Sequence, residues 1–152
     1  MESALARLAA LGIDLPAVAA PLAAYVPAVR SGSLVYTSGQ LPTADGKLTA
    51  RGKVGGEVSA EQARMLARTC ALNALAAIDA LVGLDSVVRV VKVVGFVAST
   101  PSFTDQPAVI NGASEFVGEV FGEAGQHARS AVGVAVLPLD APVEVEVIVE
   151  VR

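Results

Sequence analysis

Toward the end of the chain Val143, Val145, Val147, Val149 and Val151 alternate with Glu144, Glu146, Ile148 and Glu150. This period of two buries one face of a strand and leaves the other outside the core. A strand over Ala128–Leu137 precedes it, with Val132, Val134 and Val136 alternating with Arg129, Ala131, Gly133 and Ala135. Val87–Ala98 is dense in β-branched residues and predicts a central strand. Helical spacing governs two other stretches. Ser59, with Gln62 three residues on, gives a capping signal for a helix of about 24 residues ending at Gly83. Asp105 and Pro107 open a second helix, whose apolar stripe runs from Val109 to Phe121 before Gly122. The N-terminal part predicts a short helix to Leu11, a proline-punctuated extended segment, strands over Tyr25–Arg30 and Ser33–Ser38 turning at Ser31-Gly32, and a hairpin-like loop over Gly39–Gly56. The order ββ-α-β-α-ββ implies an α+β sandwich with the two helices packed on one face of a mixed β-sheet.

The other sheet face then has no cover. Ala131, Gly133 and Ala135 are expected there, too small and apolar for a solvated face, which points to another subunit's surface or a ligand groove at the seam. A turn containing Pro138, Asp140 and Pro142 suggests that the last two strands form a hairpin with Glu144 opposite Val136. That register places Glu144 on the order of 20–25 Å from Arg129, beyond contact within one chain.

A length of 152 residues fits a single compact domain, and 53% hydrophobic but 4% aromatic residues require a core of Val, Ala and Leu. The net charge of -4 and only three lysines argue against nucleic-acid binding, which depends on clustered cations. A lone cysteine, Cys70, forbids an intrachain disulfide, and with one histidine it leaves no Cys/His metal site; a reducing, cytoplasmic location is expected. The apolar Leu8–Val29 segment is broken by Asp14 and three prolines and lacks the basic start of a signal peptide, and no uninterrupted apolar stretch suggests a membrane span.

Few side chains offer chemistry. Alternating glutamates on a strand usually form a solvated face, and among them Glu144 is retained as a candidate. His127, the only histidine, reads as a loop-end surface residue and is set outside the site. Cys70 lies on an apolar helix stripe, as a buried inert thiol would. Arg129 begins a strand, faces small residues and has no evident partner in the chain, so its guanidinium suits two-point binding of a carboxylate.

Ser38-Gly39-Gln40-Leu41-Pro42 after a strand, and Arg129-Ser130-x-Val132 followed by Leu137-Pro138 and Val143-Glu144-Val145-Glu146, resemble the two signatures of the YjgF/RidA family. The resemblance spans roughly Tyr25 to Arg152 and defines a domain over 25–152, with residues 1–24 resembling the N-terminal extension of one branch. It implies a chorismate-mutase-like fold and a homotrimer whose sheets form a central barrel with sites in intersubunit clefts. It also implies hydrolysis of reactive enamines and imines such as 2-aminoacrylate to 2-keto acids and ammonia, without metal or organic cofactor. By position, Arg129 matches the family arginine that clamps the substrate carboxylate, Tyr25 the tyrosine that closes the cleft, Ser38 and Gly39 the loop beside the substrate, Asn111 a family asparagine, and Glu144 the glutamate associated with the hydrolytic water.

Three departures accompany these matches. Ala131 replaces a cysteine common in the family site, His127 stands where proline is usual, and the first long-helix region is longer. The alternative functional class is a trimer that binds small carboxylates without turnover. Ribonuclease or translation-inhibitor activity ranks last, because the acidic chain offers neither a phosphate-binding surface nor the usual acid/base pair.

Overall fold

The computed structural model describes residues 2–20 and 23–152. Its elements are α1 (Ala4–Ala10), β1 (Ala28–Ser31), β2 (Leu34–Thr37), a small hairpin of β3 (Thr43–Ala44) and β4 (Lys47–Leu48), α2 (Ala60–Val82), β5 (Val87–Ala98), α3 (Gln106–Phe121), β6 (Ala128–Val134) and β7 (Val143–Val151). The Ser59 hydroxyl accepts the Gln62 N–H at 3.1 Å to start α2, and Gly83, at a φ of 81°, returns its N–H to the Asp79 carbonyl to end it. Asp105 occupies the cap position of α3 without a side-chain capping bond; Pro107 supplies the preset first turn. The first strand pair is shorter than the pattern suggests, and β6 stops at Val134.

The five main strands lie in the order β1-β2-β7-β5-β6, antiparallel except for the parallel pair β5 and β6. The expected terminal hairpin is therefore absent. β5 separates β6 from β7, because β5-α3-β6 is a crossover unit whose helix returns the chain to a parallel strand. Arg129 aligns with Val93 and so with Val147, whereas Glu144 aligns with Phe96 and so with Val132. Three residues and two strand spacings separate the two positions, about 14 Å rather than the larger distance that a hairpin register implies. They also lie on opposite faces of the sheet.

α2 and α3 cover one face, over Val35, Val90, Val93, Val97 and the five alternating valines of β7. β6 presents the opposite parity to that expected. Ala131 packs against this helix-side core, and a Cβ on Gly133 would come 2.8 Å from Gln106 Nε2 at the start of α3. The small residues of β6 thus make room for α3. The open face carries Tyr36, Val94, Phe96, Val132, Val134 and Ile148 instead. At one end it is partly covered by Leu41, Leu137 and Ala141, but Val132 remains 45% exposed and Tyr36 43%.

Gly95 fixes how closely α3 approaches the sheet, since a Cβ there would sit 2.8 Å from Ile110 Cγ2. This seats Asn111 and Ser114 above the start of β6. One helix among the described residues, Ala60–Val82, is long and apolar enough to cross a membrane, and half of its apolar window is buried in the protein interior. At the N-terminus, Leu8 of α1 is buried in the main core, with Ile13, Leu15 and Val18 packed at its edge.

Candidate functional site

The sequence-selected residues fall into two groups. In the first, β2 runs on into Ser38-Gly39-Gln40, and Gln40 exchanges backbone hydrogen bonds with Val145 at 2.8 and 3.0 Å. This lays Gly39 against Glu144. A Cβ on Gly39 would come 2.7 Å from the Glu144 Cδ, so only glycine leaves that carboxyl in place. The Ser38 hydroxyl donates to the Val26 carbonyl at 2.6 Å and its N–H to Pro27 at 2.8 Å, tying down the segment that carries Tyr25.

Tyr25, Pro27, Gly39, Gln40 and Leu41 line a cleft of about 260 Å³, with Ala19 and Ala20 on one wall. The turn before β7 contributes Leu139, held with Asp140 at a φ of 60° and anchored by an ion pair between Asp140 and Lys53. Burial, reinforced by the charge of Glu146, raises the Glu144 carboxyl above the ordinary carboxylate range. Glu144 therefore keeps its proton to a higher pH than a solvated glutamate would. The nearby Cys70 thiol is fully buried and pushed up by that burial and by Glu144, which suits a packing role.

The second group lies under α3 at the β6 edge. Arg129 Nη1 donates to Asn111 Oδ1 at 2.7 Å and to Ser114 Oγ at 3.4 Å. Arg129 thus has intrachain partners, both neutral, and the expectation of a partnerless guanidinium is corrected. Arg64, Arg68 and Lys53 each pair with a carboxylate; among the described residues Arg129 has no such partner. Both hydrogen bonds use Nη1, which leaves the side-on fork of Nε–H and Nη2–H without a partner among the described residues.

Sequence reasoning placed His127 on the surface, but it is half-buried and both ring nitrogens are engaged. Nε2 lies 2.8 Å from Ser114 Oγ and Nδ1 2.6 Å from the Gly125 carbonyl oxygen. The available signal was its position two residues before Arg129 in the same strand parity. Ser114, which belongs to this group, lies three residues after Asn111, on the same face of α3. Among the described residues no three His, Cys, Asp or Glu side chains cluster as metal ligands would.

The two groups do not meet within one chain: Arg129 is on the helix side of the edge strand, and Glu144 is on the open side of β7. The geometry nevertheless assembles, in separate halves, an arginine with an open side-on fork and a loop laid against a half-buried carboxyl.

The family model described as "YjgF/chorismate mutase-like, putative endoribonuclease" matches residues 5–151. Protein TCP17 of Trypanosoma cruzi is 49% identical over 149 residues, covering 97% of this chain and 93% of its own length. The crystal structure of Atu1372 from Agrobacterium tumefaciens, a protein of unknown function, superposes with a TM-score of 0.91 at 46% identity, covering 98% of this chain and 92% of that one. The E. coli YjgF gene product superposes less closely, with a TM-score of 0.63 at 31% identity over 89% of this chain and 94% of its own. The mixed sheet with helices on one face, the family match over nearly the whole chain and these likenesses agree, and the chain belongs to the YjgF/chorismate-mutase-like family.

Proposed function

We propose that the protein hydrolyses reactive enamines and imines of the 2-aminoacrylate type to 2-keto acids and ammonia, in clefts between the subunits of a homotrimer. The observation that carries this reading is Arg129: half-buried, held by neutral partners through Nη1, and left with a side-on fork matched to a carboxylate. Asn111 holds the guanidinium and Tyr25 narrows the cleft, with Ser38 and Gly39 forming the loop beside the substrate. Such chemistry depends on orientation. A proton delivered to the β-carbon of the enamine gives the imine, and water adds to the imine carbon. A water proton passes to nitrogen, and the carbon–nitrogen bond breaks to release ammonia and the keto acid. Glu144, whose raised affinity for a proton supports this role, would supply and retrieve protons and hold the water.

The trimer is proposed because the two halves lie apart and the open face exposes Val132 and Tyr36. Residues 25–152 would form the domain carrying the site and 1–24 an extension, whose Ala19 and Ala20 wall the cleft. With no metal or organic cofactor invoked, the partners are a small imino or keto acid and two further copies of the chain. A cytoplasmic setting accords with the buried free thiol of Cys70.

Carboxylate binding without turnover is the second reading, favoured by the separation of Arg129 from Glu144 within one chain, since the same arginine fork would hold a carboxylate whether or not hydrolysis follows. A relative from Shewanella oneidensis bears the endoribonuclease name, with a TM-score of 0.95 at 33% identity, covering 99% of this chain and 100% of its own. An acidic chain with three lysines suits that activity poorly. The test is ammonia release from an enzymatically generated imino acid. Acceleration lost in Arg129→Ala supports deamination, whereas binding without acceleration supports the second reading.

A further inference from the structure

We infer that His127 is a positioning residue that holds the carboxylate-binding Arg129 in place through the Ser114 hydroxyl, an inference that rests on the role proposed above for Arg129. The direction of each hydrogen bond follows from what its atoms can do. The Gly125 carbonyl can only accept, so His127 Nδ1 carries a proton and donates to it at 2.6 Å. In the neutral ring Nε2 is then an acceptor, and the Ser114 hydroxyl donates to it at 2.8 Å. With its proton so directed, Ser114 presents lone pairs to Arg129 Nη1 at 3.4 Å, beside the 2.7 Å bond to Asn111 Oδ1.

The anchor of this relay is rigid. Gly125 lies so close to α3 that a Cβ would come 2.7 Å from the Val117 carbonyl oxygen, so the backbone carbonyl that fixes the imidazole is itself held by the helix. Without the imidazole acceptor, a serine within a helix turns its hydroxyl toward a carbonyl of the preceding turn. Arg129 would then have only Asn111 to orient it. The relay uses Nη1 alone, so it sets the plane of the guanidinium without occupying the fork that meets substrate. In this chain the imidazole adds a second point of control.

The test measures pyruvate affinity by calorimetry for the full-length protein and for the His127→Ala, Ser114→Ala, His127→Gln and His127→Ala/Ser114→Ala variants, with thermal melting to confirm folding. In parallel, NMR of nitrogen-labelled histidine reads the ring tautomer. The relay predicts a neutral ring protonated on Nδ1 and about five- to tenfold weaker binding in each alanine variant. The double variant should lose no more than either single one, because both cut the same chain. His127→Gln, whose amide oxygen can replace Nε2 as acceptor, should restore most of the affinity. Unchanged affinity in the folded alanine variants, additive losses, or a proton on Nε2 would overturn the relay alone. Failure of the unaltered protein to bind pyruvate would overturn the carboxylate clamp, and the inference with it.

Discussion

Arg129→Lys keeps the positive charge and removes the planar fork. In the native site Nη1 is committed to Asn111 and Ser114, while Nε–H and Nη2–H can both reach the two oxygens of one carboxylate. A hydrogen bond involving a charged group contributes about 1.5–3 kcal/mol net. An ammonium is a single point that cannot meet both carboxylate oxygens side-on while keeping the Asn111 contact, so about one such bond is lost. A loss of about 1.5–3 kcal/mol corresponds to a Kd roughly 10- to 150-fold weaker. Titration of pyruvate into both proteins by calorimetry measures it directly. Arg129 lies on an edge strand, so the variant should melt close to the native temperature, which separates recognition from folding. Equal affinities would mean that Arg129 acts only as a charge, or that the carboxylate binds elsewhere.

Three further outcomes follow from the same geometry. Gly39→Ala should cut turnover while leaving thermal stability nearly unchanged, because the new methyl displaces the movable Glu144 carboxyl; parallel activity and melting measurements distinguish this from general destabilisation. The folded state binds the Glu144 proton more tightly than the unfolded chain does, so its contribution makes stability fall as pH rises from the unfolded value near about 4.3 through the raised folded pKa. Denaturation across that range should show this slope, and Glu144→Gln should flatten it. Light scattering should give a trimer for the native chain and smaller species for Val132→Asp, which puts a charge on the exposed apolar face.

Much of this architecture is legible in the chain because each clear signal has one physical solution. The β7 alternation admits a single buried face, and the Ser59 cap and the Gly83 and Gly122 stops bound their helices within a residue or two. Strand order is a different matter. The Pro138–Pro142 stretch has hairpin composition, yet pairing is decided by the α3 crossover, which demands that β6 lie parallel to β5. The faces of β6 were ambiguous because both parities are apolar, and the small residues fit beneath α3 rather than against solvent. Arg129 and Glu144 stand out in the chain by residue type and strand position, and Asn111 only through the family resemblance. The His127–Ser114 link does not stand out, since it depends on a backbone carbonyl at Gly125 that side-chain spacing does not reveal.

The separation of the Arg129 and Glu144 halves makes mixed subunits the most direct test of a shared deaminase site. Arg129→Ala and Glu144→Ala proteins, each inactive alone, are combined under conditions that exchange subunits, with exchange confirmed by mass, and ammonia release is measured. Random mixing in equal amounts should pair an intact Arg129 with a neighbour's intact Glu144 in about a quarter of the clefts, recovering that share of native activity. No recovery despite confirmed exchange would contradict a site built from two chains.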